Sequence, residues 1–225
     1  MNRTAGQILT LLVCITALLA GCAGTQAPQV TEDGLVLKPD TGRATVHVRP
    51  GATIGAFSEF GLDDCEVAFR RNWLRDQNSN RVSLSNRVTQ QDVDRIRDEL
   101  AAECDKYFRE ALTEAPAYAL VDSFEDGEGV LVLRPSIVNL DVSAPDVQSP
   151  GIQRSYTASA GEMTLLLELV DGTTGEVLAR VRERQEARDT ARIQYSNRIT
   201  NRMEADRILR DWAGRLREGL DAARS

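Results

Sequence analysis

The chain has 225 residues, of which 42% are hydrophobic and 5% aromatic, and its formal net charge is −7 at pH 7. A chain of this length can form one domain with a substantial hydrophobic core. The arginines are interleaved with Asp and Glu and form no obvious basic face, so the composition argues against a nucleic-acid-binding protein.

Residues 1–21 have the pattern of a bacterial lipoprotein signal peptide. Arg3 provides a positive start, and residues 8–19 form an apolar stretch that is too short to span a membrane as a helix. The stretch runs into Leu19-Ala20-Gly21-Cys22, which resembles the lipobox of lipoprotein precursors at every position. The resemblance implies cleavage before Cys22 and acylation of its sulfur and new amino group, with palmitate as one of the chains. The alternatives are an ordinary cleaved signal or a cysteine that stands there by chance.

The lipobox also predicts where the protein works. One acyl chain binds a membrane only marginally, but a mature lipoprotein carries more than one and stays anchored. In such lipoproteins an Asp directly after the cysteine favours the inner membrane, so Ala23 favours the outer membrane. We therefore expect a lipid-anchored protein on the periplasmic face of the outer membrane.

Residues 22–44 are predicted to form the lipidated cysteine and a flexible tether. The beginning of this stretch is small, polar or helix-breaking, and Gly34, Pro39 and Gly42 argue against a long element. We expect residues 45–225 to form a single folded domain.

The first half of that domain contains two predicted strands and a helix. Residues 45–48 read as a short strand, and residues 65–69 alternate apolar and polar side chains, as in a half-buried strand. Residues 75–87 are predicted to form a polar loop. Thr89 is a suitable helix cap, with Asp92 three residues later. Apolar residues then recur at helical spacing to a helix end near Pro116.

The second half is predicted to be mainly β-structure with a C-terminal helix. Strands are predicted over 119–124, 130–142, 162–170 and 176–183, with Pro135 marking an edge, a bend or a bulge. The segment 171–175 joins the last two as a hairpin turn, and residues 185–200 have no clear assignment. Asn201 and Glu204 form a plausible cap pair. The stripe of the helix that follows consists of Ala205, Ile208, Leu209, Trp212, Ala213, Leu216 and Leu220.

These elements predict an α+β fold. The expected order is β-α-β-β-β-α, with a mainly antiparallel sheet and two amphipathic helices packed on one of its faces.

Three segments of the chain are similar to one known family. Val48-Arg49-Pro50-Gly51-Ala52 resembles the opening of the bacterial lipoproteins grouped as domain-of-unknown-function family 3313. Two later parts of the chain are also similar to this family. One is 168–171 followed by 174–179, and the other is Asp211-Trp212-Ala213 with Leu216 and Leu220. Because that family has no assigned activity, the resemblance implies an architecture and a location but no catalytic residue.

The four cysteines divide by context. Cys14 leaves with the signal peptide and Cys22 takes the lipid, so Cys65 and Cys104 remain. Both lie on apolar faces, and an oxidising periplasm favours a disulfide between them over two buried free thiols.

Candidates for catalysis, metals and cofactors are few. His47 is the single histidine, and no Gly-x-Ser-x-Gly motif accompanies it, so it is expected to border a strand. The acidic clusters around 59–66 and 122–128 lack calcium-loop spacing and are expected to be solvated loops. No phosphate-binding glycine loop is present. We expect no metal and no cofactor.

The two tryptophans differ in context. Trp212 lies on the apolar helix stripe and is expected in the core, whereas Trp73 opens a polar loop and is equally consistent with a surface anchor for a partner.

Two functions remain: a non-catalytic accessory or binding subunit of an envelope transport or assembly system, or a carboxylate-based enzyme that acts on cell-wall or envelope polymer. The scarcity of catalytic groups favours a protein that binds an envelope partner and is not an enzyme.

Overall fold

The computed structural model describes residues 29–79, 81, 87–124, 129–142, 156–157, 161–186, 194–195 and 198–224. Over these ranges the chain is an α+β protein, as expected. Its strands are β1 (Val36–Lys38), β2 (Thr45–Val48), β3 (Glu59–Leu62), β4 (Glu66–Phe69), β5 (Ala119–Val121), β6 (Val130–Asp141), β7 (Tyr156–Thr157), β8 (Glu162–Asp171), β9 (Val177–Glu186) and β10 (Gln194–Tyr195). Its helices are α1 (Trp73–Asn78), α2 (Gln90–Thr113) and α3 (Arg198–Arg224), with a short 3-10 turn at Ile54–Ala56.

Eight of the strands form one mixed sheet. The strand order is β1-β2-β9-β8-β6-β3-β5, and β4 also pairs with β6. The pairs along the path from β1 to β6 are antiparallel. Strands β3 and β4 pair with β6 in parallel, and β5 pairs with β3 in parallel. The prediction of a mainly antiparallel sheet therefore holds, but the sheet is not purely antiparallel.

Pro135 marks the point at which one edge of β6 changes partner. Strand β3 pairs with residues 130–133 of β6, and β4 pairs with residues 136–140. On the other edge, Pro135 lies opposite Leu167 of β8. A proline has no backbone N–H to donate, so a break between two partner strands accommodates it. The sequence predicted an edge, a bend or a bulge at Pro135, and this change of partner strand is a different arrangement from those three.

Helices α2 and α3 pack on one face of the sheet and share its main core. Thr89 and Asp92 form a reciprocal capping box at the start of α2, which confirms that prediction. The buried residues of the two helices are Val93, Cys104, Tyr107, Phe108, Leu112, Ile208, Leu209, Trp212, Ala213, Leu216 and Leu220. Most of them join leucines of β6 and β8 in one hydrophobic cluster. The two predicted amphipathic helices are present and share this core, but the structure has a third helix, α1, that was not predicted.

Several element boundaries differ from the predictions. Helix α3 begins at Arg198, so Asn201 lies inside it and is not its cap. Part of the predicted polar loop 75–87 is the short helix α1, and β3 was not anticipated. Strand β3 contains Gly61, where an added Cβ would lie 2.6 Å from the ring of Phe124. Its close packing needs a glycine, a residue that weakens the sequence pattern of a strand. The predicted element order is therefore too short.

The predicted tether also extends too far. Residues 36–38 form β1 of the sheet, and Leu35 is completely buried. The glycines and Pro39 in this region were correctly read as breaks, since β1 has only three residues. Of the described helices, none is both long and apolar enough to span a bilayer.

Candidate functional site

The lipidation candidate, Cys22, lies outside the described residues, which begin seven residues later at Gln29. From there the chain turns back on itself before it enters β1. Val30 forms an isolated antiparallel bridge with Val36, and the Leu37 N–H donates to the Gln29 carbonyl at 2.9 Å. The Leu35 N–H donates to the Thr31 hydroxyl at 2.9 Å. We call residues 29–37 the N-terminal clasp.

Charged contacts attach the clasp to the sheet. Both terminal nitrogens of Arg180, on β9, donate to the Asp33 carboxylate at 3.2 and 2.8 Å. Arg180 also donates through Nε to Glu168 of β8 at 2.7 Å. Arg49 donates to the Asp33 carbonyl at 3.2 Å and to the Val177 carbonyl at 2.7 Å. The hydrogen bonds from Arg180 and Thr31 lower the pKa of Asp33 to about 2.

The disulfide predicted between Cys65 and Cys104 is present. It joins the start of β4 to the middle of α2, with the two Cα atoms 6.1 Å apart. Both cysteines are buried in the main core. The bond therefore ties the parallel part of the sheet to the helix layer.

One carboxyl group beside the disulfide has an unusual environment. Asp105 of α2 accepts a hydrogen bond from the Cys65 N–H at 2.7 Å. Burial raises the pKa of Asp105, and the negative charges of Asp63 and Asp64 act in the same direction. Sequence reasoning placed the acidic residues mainly in solvent and missed this carboxyl.

A buried ionic network between β9 and α3 was also missed. Glu183 is only 3% exposed and accepts hydrogen bonds from Arg215 at 2.7 Å to each carboxylate oxygen. Arg215 also pairs with Asp211, and Gln185 donates to Glu183 at 2.7 Å. One sequence signal could have found this network. Side chains alternate between the two faces of a strand, so Glu183 and Gln185 continue the inward face of β9 beyond Val181.

A second cluster of polar and aromatic side chains connects the C-terminal end of α3 to the end of α2. Arg217 donates to backbone carbonyls at the end of α2, at 2.7 Å to Ala111 and 3.0 Å to Glu114. Its guanidinium and that of Arg224 lie 4.7 and 4.3 Å from the ring centroid of Tyr118. The Tyr118 hydroxyl donates to Asp221. These groups satisfy one another, and their role is to hold the helices together.

The other candidates that the sequence offered were His47 and the two acidic clusters. His47 is 7% exposed and lies in β2, in register with Leu37 and Arg180. Asp63 pairs with Arg134 at 3.2 Å. Within the ranges that the structure describes, no three His, Cys, Asp or Glu side chains are grouped as metal ligands. Part of the acidic loop at 122–128 lies outside those ranges.

Trp73 was equally consistent with a surface anchor and with a buried residue, and the structure shows it buried. Its side chain is 2% exposed, packs against Phe69 and donates through Nε1 to the Val142 carbonyl at 2.9 Å. Residue 73 is the first of helix α1 and does not open a loop, so the indole is directed inward. Trp212 is buried as predicted, although its Nε1 has no hydrogen-bond partner among the residues that the structure describes.

Comparisons with known proteins give a family and a distant structural likeness. No curated protein matches the chain. Two structures of dodecameric PelC from Paraburkholderia phytofirmans, one of them a point variant, are each 8% identical to it. The variant matches with a TM-score of 0.39 over 76% of this chain and 98% of that one. The other matches with a TM-score of 0.37 over 76% and 96%. At these scores the likeness carries no argument about function.

The family comparison covers more than half of the sequence. The family model described as "Protein of unknown function (DUF3313)" matches residues 79–216. This range includes α2, the long strands β6, β8 and β9, and most of α3. The chain therefore belongs to the DUF3313 family.

Proposed function

We propose that this chain is a lipid-anchored lipoprotein of the outer membrane that faces the periplasm and serves as a non-catalytic accessory or binding subunit of an envelope transport or assembly system. The lipobox at residues 19–22 supports the anchor. The observation that carries the compartment is the buried disulfide between Cys65 and Cys104, since such bonds persist in oxidising environments such as the periplasm.

The pairing of the ionisable groups supports binding over catalysis. General acid–base chemistry needs a group that can reach substrate and exchange a proton near the working pH. The most buried carboxylate of the described residues, Glu183, is held by Arg215, and the single histidine is largely buried in β2. Neither group is available in a cleft for substrate.

The test of a binding role is affinity capture from detergent-solubilised envelopes, followed by mass spectrometry. We expect the wild-type chain to enrich subunits of one envelope transport or assembly system. The matched control is Cys22→Ser, which keeps the domain but should lose the anchor and with it the enrichment. Recovery of the same set of proteins with both chains would argue against a partner that is met at the membrane.

One observation favours the alternative, a carboxylate-based enzyme that acts on cell-wall or envelope polymer. Asp105 has a raised pKa and lies near two further carboxylates, as a general acid would. The matched variant is Asp105→Asn, since an amide oxygen can still accept the Cys65 N–H. We expect neither purified protein to release fragments from isolated cell-wall polymer. Release by the wild type but not by Asp105→Asn would replace the binding proposal with the enzyme.

A further inference from the structure

We propose that the exposed edge of the sheet at β1 rests on the lipid surface that holds the acyl chains of Cys22. The contact is made by Val30, Val36 and Lys38, which we call the edge patch. This inference rests on the proposed lipid anchor and adds to it an orientation of the domain.

The edge patch consists of two exposed valines and one lysine at the outermost strand of the sheet. Val30 is 57% and Val36 41% exposed, and among the described residues only Met203 joins them as a large exposed hydrophobic side chain. Val30 and Val36 face each other across an antiparallel bridge, so their side chains lie on the same side. Lys38 is two residues beyond Val36 in β1 and shares that side.

The length of chain between the lipid and the clasp restricts what can touch the membrane. Gln29 follows Cys22 by seven residues, and a chain of that length reaches at most about 25 Å. The clasp fixes Gln29 to Leu37 of β1, and its Asp33 is fixed to Arg180, so the chain after Gln29 adds nothing to the reach. A domain of this size is roughly 40 Å across. The side of the domain that carries β1 is therefore the side held next to the lipid.

The charges near the edge patch are balanced, which favours a contact made by its apolar side chains. Lys38 and Arg43 are exposed there, but so are Glu32 and Asp40. The positive and negative charges cancel, so attraction to anionic headgroups contributes little. Lys38 can place its methylene chain against the interface and its ammonium among the phosphates. Two valines alone would bind a membrane weakly, but the lipid anchor gives them a high effective concentration at its surface.

The experiment measures the depth of labelled sites in the lipidated full-length protein. The protein is reconstituted into vesicles of phosphatidylethanolamine and phosphatidylglycerol, and one polarity-sensitive fluorophore is attached at Val36→Cys. The matched control carries the same fluorophore at Met203→Cys, another exposed apolar site, on α3. We expect nitroxide-bearing lipids to quench the emission of the label at position 36 and to leave the label at position 203 unchanged.

A second variant tests whether the apolar pair makes the contact. Val30→Asn with Val36→Asn keeps the exposed positions uncharged and should reduce the quenching of a label placed at Lys38→Cys. Circular dichroism checks that this variant is folded. Equal quenching of the labels at positions 36 and 203 in acylated protein would overturn the orientation and leave the anchor in place. Absence of acyl chains on Cys22 would overturn both the anchor and the inference that rests on it.

Discussion

At the scale of single residues, two of the charged contacts form joints between separate parts of the fold. Asp33 joins the clasp to Arg180, and Glu183 joins α3 to the sheet through Arg215. The first joint is at the surface and the second is buried, so they should respond differently to change. Exposed ion pairs contribute little to stability, whereas a buried charge that loses its partner is costly.

The clasp should open at low pH. The pKa of Asp33 is lowered to about 2 by its hydrogen bonds, so its contribution is complete above its ordinary pKa near 3.8 and is lost as the pH falls from there through about 2. Hydrogen exchange of residues 29–37, measured after brief exposure to each pH, should show this loss of protection. Asp33→Asn should show the same loss of protection at neutral pH. A clasp that stays protected in Asp33→Asn would show that its other contacts, such as the burial of Leu35 and the hydrogen bond from Arg49, are sufficient.

Removal of Arg215 should destabilise the domain. Arg215→Met leaves the carboxylate of Glu183 buried without its counter-ion, and we expect a loss of about 3 kcal/mol in the free energy of unfolding. Urea unfolding followed by circular dichroism measures it. The control is the double variant Glu183→Leu with Arg215→Met, which should recover most of the loss. If the single variant were as stable as the wild type, the pair would not hold α3 to the sheet.

At the scale of elements, the cross-link between β4 and α2 holds together parts that lie far apart in sequence. Strand β4 adds to the sheet in parallel, and parallel pairing requires a long connection. The disulfide closes a loop over a separation of 39 residues that contains α1 and the start of α2. It therefore reduces the conformational entropy of the unfolded chain.

Cys104→Ala should lower stability and leave localisation unchanged. The chain-entropy estimate for this loop is roughly 4 kcal/mol, or about 10 °C in melting temperature for a domain of this size. Differential scanning fluorimetry gives the melting temperature, and envelope fractionation gives the location. Cys65→Ala is the matched variant and should behave in the same way. Two thiols that react freely in wild-type protein taken from the periplasm would contradict the pairing in the cell.

At the scale of the whole molecule, we propose that the lipid anchor, the clasp and the core are connected in that order and together position the domain. The acyl chains proposed on Cys22 hold the chain at the membrane, and the clasp transmits that position to β9 through Arg180. In this proposal the clasp positions the domain as one unit, because its helices and sheet share one core. Loss of the first link should release a domain that is still folded.

Cys22→Ser should abolish lipid attachment. The thiol must form a thioether to diacylglycerol, and a serine hydroxyl does not replace it in this reaction. Metabolic labelling with an alkyne analogue of palmitate should mark the wild type and not the variant, and the variant should remain unprocessed or mislocalised. Equal labelling of the two chains would exclude Cys22 as the site.

What the sequence determined by itself is local. The alternation over residues 65–69, the capping box at Thr89 and the apolar stripe of α3 each depend on side chains a few residues apart, and all three are present. The hairpin between β8 and β9 was predicted for the same reason. The disulfide followed from elimination among four cysteines.

What only the tertiary structure decided is the meeting of distant segments. Asp33 and Arg180 are 147 residues apart, and no local pattern connects them. Three other features also depend on segments that are distant in sequence. They are the parallel pairing of β3 and β4 with β6, the hydrogen bond from Trp73 to Val142, and the pairing of Glu183 with Arg215. Periodicity specifies which face of an element is buried, because that depends on the geometry of one strand or helix. Which element covers that face depends on how the whole chain packs.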